Sequence, residues 1–457
     1  MKHVVVVGGG LAGLGTAFFL RQARPDLSVT VLEKEPEAGG KVRSSLSHGY
    51  TVDWAANGFL PNVPDTLDLA RDLGLTGELL EADPASRERL LYKNGALHKL
   101  PASPPAFLRS NLLLPSEKLR AAAEPLLGRA HDGEESVYGF VARHFGRGVA
   151  ETFAGPFVLG ITAGDAQELS LDALFPRFRA LEQGHGSLVR GLVAEQRAAQ
   201  RAAKPADPNT PKRLTSFRGG SGRLAEALRD ALGDAVRGRS GVTRLEPTAT
   251  GFKTHGEGLA LGADAVVLAV PSFTAAELTR PFAPEAAAAL REIPYADVYV
   301  FGLGYNRLDV PNALGGFGFL VPRGEGVRVL GVLYSSSIFP GQAPEGRVLL
   351  RVIAGGSVDR EFAALSEDEM LRAVRRDLRV TLGVVAEPEF AERRPWPAGI
   401  PQYRLGHVSQ VARAEAALAG HPGLFLTGNA YRGVGVNDTV RDARRTAQKV
   451  LAALAAG

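Results

Sequence analysis

Gly8, Gly10 and Gly13 follow the apolar run HVVVV in the spacing Gly-x-Gly-x-x-Gly, and Glu33 lies about twenty residues further on. In that pattern Gly8 permits a tight turn, and Gly10 lets backbone N–H groups approach a pyrophosphate at a helix N-terminus. Gly13 lets helix and strand pack closely, while Glu33 can accept hydrogen bonds from ribose hydroxyls. The spacing predicts a dinucleotide site but does not separate NAD from FAD. The following stretch, EKEPEAGGKVRS, adds Gly39 and Gly40 with Lys41 and Arg43 behind them. An extended FAD crosses such a loop, whereas a nicotinamide site has no need of a second glycine pair there. A third glycine-rich stretch, TGNAYRGVGVNDTV (Thr427 to Val440), precedes the C-terminal helical tail. No strand–glycine–helix–acid unit surrounds it, so it reads as the other half of one elongated site.

The rest of the chain offers no catalytic constellation. G-x-S-x-G, G-x-x-x-x-G-K-[ST] and H-E-x-x-H are all absent. There is no cysteine, which removes disulfides, zinc–thiolate sites, Fe–S clusters, thiolate nucleophiles and a cysteinyl flavin link. The histidines lack ligand spacing, so no metal is expected, and His131 and His144 are read on a solvated helical region. With no paired acid and base, the chemistry is expected to come from the cofactor, with the protein supplying pocket and orientation.

The elements that would position these residues follow from periodicity. His3–Val7 and Ser28–Glu33 read as strands and Leu11–Arg24 as the helix between them, a βαβ opening. Helical, Leu- and Ala-rich sequence is expected from about Pro64 to Ala203, and KPADPNTPK (Lys204 to Lys212) reads as a linker. A glycine turn and helix follow in SFRGGSGRLAEALRDAL, then strands at Gly241–Leu245 and Ala265–Val270. Strand-rich sequence runs from Tyr295 to Ile353, a helix covers Glu367–Leu378, and the last helix starts near Asp438.

At 457 residues two or three compact units are expected. The composition, 45% hydrophobic and 22% charged, is that of a globular protein. A net charge of +4 and a pI near 9.3 give a mildly basic surface, suited to an anionic membrane or acidic substrate. The scattered charges exclude a nucleic-acid groove. No apolar run reaches bilayer length, and the early glycines rule out a secretory h-region, so a soluble or peripheral protein is expected.

GGGLAGL, EKEPEAGGKVRS, LPASPPAFL, FVLGITAGD, SFRGGSGRLAEAL, GGFGFLVPR, LGVLYSSSIFP, WPAGIPQY and GNAYRGVGVND together resemble the bacterial type of FAD-dependent protoporphyrinogen oxidases, within the flavin amine-oxidase superfamily. The resemblance runs along nearly the whole chain. It implies an α/β fold: a discontinuous Rossmann-like FAD-binding domain (1–63, 213–280 and 396–457), a mixed-sheet substrate domain (64–95 and 281–395), and a helical, membrane-associating insertion (96–212).

Carried over by position, the resemblance implies non-covalent FAD contacts at Gly8, Gly9, Gly10, Leu11, Ala12 and Gly13. It adds ribose contacts at Glu33 and Lys34, and further contacts at Gly40 and Lys41. The Val242 backbone would meet the adenine, and Trp396 and Asn429 would lie near the flavin. Val434, Gly435 and Val436 would lie under its pyrimidine end, with the Gly433 and Gly435 amides approaching flavin O2 and the ribityl chain. Where the family has Gly-Pro-Asn, this chain has Ala55-Ala56-Asn57-Gly58, so the approach to the ring there is expected to differ locally. For the substrate, the resemblance implies a cation holding a propionate, with His98, Lys99 and Arg109 as candidates. Leu320 and Phe339 would clamp the tetrapyrrole, though without the resemblance both read as core residues. Gly160 would border the substrate.

The implied reaction is stepwise dehydrogenation of protoporphyrinogen IX with dioxygen as acceptor, in haem biosynthesis, without a dedicated catalytic base. Coproporphyrinogen III is the alternative substrate. Flavin amine oxidases, carotenoid desaturases and a non-enzymatic carrier on the same fold are more remote rivals. The implied setting is cytoplasmic, peripheral to the membrane through PPAFLRSNLLLPSEKLRAAAEPLLGRA, with hand-off to the next enzyme of the haem pathway. A buried helical insertion would read the same as that membrane element.

Overall fold

In the strand His3–Val7, Val4 and Val6 point into one core while Val5 and Val7 point into another. Both faces are covered, which is why the run carries no polar residue after His3. Its neighbours are all parallel, in the order Leu424–Leu426, Ala265–Leu268, His3–Val7, Ser28–Leu32 and Val236–Arg237. This five-stranded sheet is therefore assembled from widely separated parts of the chain. The structure, a computed structural model, describes residues 2–127, 131–202 and 210–456, so most of the expected linker lies outside the described residues.

One face of the sheet packs the helices Leu11–Ala23, Arg223–Leu232 and Val436–Ala456. The other is covered by the antiparallel meander Val242–Thr248, Gly251–Gly256 and Leu259–Ala263, with the helices Ser272–Thr279, Pro284–Arg291 and His407–Leu418.

A second, mixed sheet of seven strands runs in the order Phe390–Pro401, Tyr295–Asn306, Arg347–Gly355, Val329–Tyr334, Gly318–Leu320, Arg89–Lys93 and Ala96–Lys99. One of its faces forms a core with the helix Glu367–Leu382. Its other face packs against the strand Tyr50–Asp53 with Trp54 and against the helix Gly155–Thr162.

The expected domain division differs from the structure in four places. The helix Asp65–Asp72 buries Leu69 and Ala70 in the core of the parallel sheet, and Asp65 pairs with Arg441 of the last helix at 2.9 Å. Residues 283–293 also pack on that sheet, although 281–395 was expected in the substrate domain. Residues 396–401 instead extend the outer strand of the mixed sheet, and Ala96–Lys99, expected in the helical insertion, forms its opposite edge. Within the stretch from Pro64 expected to be largely helical, Leu79–Glu81, Arg89–Lys93 and Ala96–Lys99 are strands instead, the first two paired with partners far away in sequence.

The helical region holds one further correction. His131 is exposed as expected, but His144 is 1% exposed. Its Nδ1 lies 2.7 Å from Glu124 Oε1 and its Nε2 lies 2.9 Å from Glu182 Oε1. Arg143 and Arg179 balance the carboxylates, so the network carries its own counter-charges inside the helices.

Asp53 joins the two halves. Its buried carboxylate accepts from Ser44 Oγ at 2.6 Å, Ser221 N at 2.7 Å, Ser221 Oγ at 3.0 Å and Gln342 Nε2 at 3.2 Å. Asp53→Ala would strand these buried donors, and a loss of about 3 kcal/mol is expected. The check is the urea midpoint of flavin-free protein, with Leu46→Ala, at a neighbouring position 77% exposed, leaving it unchanged.

Candidate functional site

The strand His3–Val7 ends at Gly8, which has φ 106°, a conformation that L side chains rarely adopt. A Cβ on Gly8 would lie 2.5 Å from the Ala269 oxygen, and one on Gly13 would overlap the Gly8 carbonyl. Gly10 caps the first helix without any side-chain hydrogen bond, and no acidic residue stands in the first turn. The free amides and the positive dipole end, together with the buried Leu11 and Ala12 that anchor the turn, form an anion cradle.

Glu33 is buried and accepts from the amides of Gly9 (2.7 Å) and Glu35 (2.9 Å), which holds its carboxylate beside the cradle. Lys34 is exposed and pairs with Glu35 at 3.6 Å. Ser240 N donates to the Glu33 carbonyl at 2.7 Å, and this brings Val242 to the same end.

Gly39 N donates to Gly9 O at 2.7 Å, and a Cβ on Gly40 would come within 2.8 Å of the Gly10 Cα. The glycine pair is thus where the second loop crosses the first. Lys41 follows with its ammonium buried, donating to the carbonyls of Ala398 (3.2 Å) and Gly399. It lies 5.9 Å from the Tyr295 ring centroid, and burial pushes its pKa down to about 8.

Three segments meet beyond that crossing. A small cavity is lined by Val42, Gly58 and Val436 together with Ser221 and Leu224. Asn437 Nδ2 donates to Leu60 O at 2.8 Å, tying the start of the last helix to the loop after Gly58. Neither Ala55 nor Ala56 has positive φ, so the loop accommodates the two alanines without strain. Ser221 Oγ lies 2.8 Å from Ala56 O, and Trp396 Nε1 donates to Trp54 O at 2.7 Å.

The C-terminal glycine loop departs from expectation. The Gly433 amide donates to Tyr403 Oη at 2.8 Å, and Tyr403 donates in turn to Asn429 O at 2.6 Å. A Cβ on Gly435 would lie 3.0 Å from Asp438 Oδ2, and the Asp438 carboxyl is held above its usual range chiefly by burial. The Gly433 amide is therefore engaged by the protein itself, while Gly433, Val434 and Val436 are half-buried and Gly435 is exposed.

On the mixed sheet, register places Leu320 beside Leu91 and Gly331, Gly331 beside Ile353, and Leu91 beside His98. Paired residues share a face, so Arg89 and Leu333 (beside Gly318) and Arg351 (beside Leu333) stand on that face as well. Gly160 presses against it, since a Cβ there would lie 2.6 Å from Leu320 Cδ2. Phe339 instead is wholly buried with Ala82, Ile338 and Phe317, a core residue held by three surrounding segments.

Among the candidate cations, Lys99 stands on the opposite face and pairs with Glu88 at 2.8 Å. His98 Nε2 lies 3.0 Å from Lys93 O of its own hairpin, and Arg109 is exposed on the helix Pro104–Arg109, off the sheet. Two cations escaped the sequence reading. Arg89 stands 4.9 Å over the Phe317 ring, and Arg351 lies buried beneath the 55–57 loop. The signal for Arg351 was present: an arginine flanked on both sides by apolar residues in the strand segment VLLRVIA.

Among the described residues no group of three His, Cys, Asp or Glu side chains could hold a metal. The site supplies backbone donors, two buried cations and an apolar face, but no acid–base constellation.

Comparison with known proteins agrees with this geometry. The model of the family described as flavin containing amine oxidoreductase matches residues 11–451. The chain is 35% identical over 470 residues to the chloroplastic protoporphyrinogen oxidase of Oryza sativa subsp. japonica, covering 98% of this chain and 87% of that one. It is 32% identical over 496 residues to the coproporphyrinogen III oxidase of Propionibacterium freudenreichii subsp. freudenreichii, covering 99% and 92%. The fold is shared with an Exiguobacterium protein assigned as a protoporphyrinogen oxidase (TM-score 0.85, 24% identity, 98% of each chain). It is also shared with a UDP-galactopyranose mutase (TM-score 0.74, 16% identity, 99% of this chain and 94% of that one).

Lys41 gives the site a pH signature. A free lysine titrates near 10.5 and this one near 8, so between those values the unfolded chain binds more protons. Stability of the flavin-free protein should therefore rise with pH across that window, and Lys41→Met should flatten the rise. Thermal unfolding of both proteins from pH 8 to pH 10 checks it.

Proposed function

The chain belongs to the flavin-containing amine oxidoreductase family, an oxidoreductase with FAD as its cofactor, and from that premise we propose that it oxidises protoporphyrinogen IX with dioxygen as acceptor. The residues fit FAD. The uncapped helix at Gly10 offers amides to a pyrophosphate, and Glu33 retains lone pairs for a ribose. Asn57 Nδ2 and Arg351 Nε are buried donors without a protein partner, placed where an acceptor-rich ring would lie. Lys41, Val242, Trp396 and Val434–Val436 border the same path. When bound, FAD supplies the two-electron acceptor for hydride loss from a bridging carbon already activated by its flanking pyrroles.

The observation that carries the substrate reading is the face of the mixed sheet. Leu91, Leu320, Leu333 and Ile353 form an apolar bed beneath Gly160, with Arg89 at its rim. Such a bed orients a flat macrocycle and excludes water, and Arg89 can hold a propionate. Because the C–H bond is activated in the substrate, positioning does most of the work and no catalytic base is required. The parallel sheet with its helices then forms the FAD side and the mixed sheet the substrate side. Coproporphyrinogen III is the second reading, favoured by the bacterial relatives and by His98 on the same face as Arg89.

Peripheral membrane contact on the cytoplasmic face belongs to the same proposal. Leu108, Leu114, Leu119 and Leu126 are exposed beside Arg109 and Lys118, and Phe157 and Ile161 are exposed on the helix that carries Gly160. Among the described residues no helix is long and apolar enough to cross a membrane. An apolar rim at the substrate helix would let the greasy product leave toward lipid, or toward the next enzyme of the haem pathway.

Purified protein should be yellow and consume oxygen with protoporphyrinogen IX faster than with coproporphyrinogen III. Arg89→Ala should raise KM about tenfold with little change in kcat. Absence of oxygen uptake with both substrates would sink the reading. Sedimentation with anionic liposomes should weaken with salt and be lost in Leu119→Glu/Leu126→Glu, while activity in detergent persists.

A further inference from the structure

Arg351 is 3% exposed at the centre of the mixed sheet. Its Nη2 donates to the Ala55 carbonyl, its Nη1 lies 3.5 Å from Asn57 Oδ1, and its Nε has no partner. Burial lowers its pKa to about 10 without neutralising it at ordinary pH. The nearest acid to act on it is Asp53, yet the two form no ion pair, and the Asp53 carboxylate is already engaged by Ser44, Ser221 and Gln342.

The acceptors that touch the guanidinium are thus neutral, the Ala55 carbonyl and Asn57 Oδ1, and a charge buried without an ion-paired anion is costly until one arrives. A staple between the sheet and the 55–57 loop would not require it, because a neutral amide could donate to Ala55 O at lower cost. Asn57 Nδ2, on the same loop, is a second buried donor without a partner. Gly58, the next residue, lines the cavity with Val42 and Val436, so this loop faces the far half of the path that starts at Gly10.

We propose that Arg351 is a positioning residue that fixes the Ala55–Asn57 loop and holds a positive charge beside the flavin, favouring its reduced, anionic form. Two electrons and one proton turn the neutral oxidised ring into an anion, and a preorganised cation in a water-poor site stabilises that product over the reactant. The porphyrinogen C–H bond supplies the hydride in turnover, and dithionite supplies the electrons in the test. The inference rests on FAD at this loop and not on the identity of the substrate.

The experiment is an anaerobic reductive titration of the holoenzyme with dithionite against a reference dye, without porphyrinogen, so that failure of the substrate reading cannot disturb it. Arg351→Met removes charge and donor, Arg351→Gln keeps a donor for Ala55 O, and Arg351→Lys keeps the charge. Met and Gln variants are expected to favour the reduced flavin at least tenfold less, about 30 mV lower for a two-electron couple, with sulfite binding weakened in parallel. The Lys variant should stay near the parent protein. A Gln variant with an unchanged potential overturns the proposal. If the two neutral variants lose FAD and Lys retains it, the charge is supported. Loss of FAD from all three makes Arg351 a staple only and overturns it.

Discussion

Two backbones cross so closely at the carboxyl edge of the parallel sheet that no side chain fits between them, and the cofactor region is built on that crossing. Gly13 must lie against the Gly8 carbonyl, and Gly40 against Gly10. The amide of Gly39 closes the contact on Gly9 O. The first two glycine groups are thus one object rather than two sites in series. Each glycine costs roughly 0.5–1 kcal/mol of conformational freedom relative to alanine where regular structure would otherwise run. The return is a helix N-terminus with its amides exposed and a buried acid held by the first of those turns.

The crossing fixes what the far end of the chain must do. The first helix is packed by the last one, where a Cβ on Gly15 would stand 3.3 Å from that of Ala443, and Thr16 Oγ1 reaches the Ala443 carbonyl at 3.4 Å. One turn position earlier, the buried Asp442 accepts from Thr427 Oγ1 at 3.0 Å and from the Gly428 amide at 3.1 Å. The third glycine loop is therefore anchored to the helix that follows it. Tyr403 anchors it from the other side through Asn429 and Gly433. The Gly433 amide, expected to approach the flavin, is used to hold the loop in place.

Features set by local period and spacing were legible in the sequence. The strands His3–Val7 and Ser28–Leu32, the helix between them and the close packing of Gly13 on Gly8 depend on residues close in sequence. Features set by partners hundreds of residues away were not. His144 looks like a surface histidine until Glu124 and Glu182 enclose it. Phe339 reads as a clamp by likeness, but the segments carrying Ala82 and Phe317 bury it. The domain edges were misplaced where a strand or helix joins a sheet assembled from elsewhere, as with Ala96–Lys99 and Asp65–Asp72. Arg89 was passed over because its cation belongs to the site only through the parallel pairing of its strand with Gly318–Leu320.

A fold shared with a mutase does not choose a reaction, so the choice must lie in what the mixed sheet turns toward the cofactor. Here it turns leucines and an isoleucine, one rim arginine and one buried arginine, with no paired acid and base. The one imidazole on that face, His98, has its Nε2 3.0 Å from Lys93 O of its own hairpin. A substrate already activated at carbon needs only to be held flat, and the electron acceptor needs a field that favours its reduced form. Lys41 is fixed by carbonyls of the Trp396 segment and Arg351 by the Ala55 carbonyl, so these two cations are placed through backbone rather than through carboxylates. Carboxylate partners would have cancelled the field, whereas neutral carbonyls orient the cations and leave their charge in place.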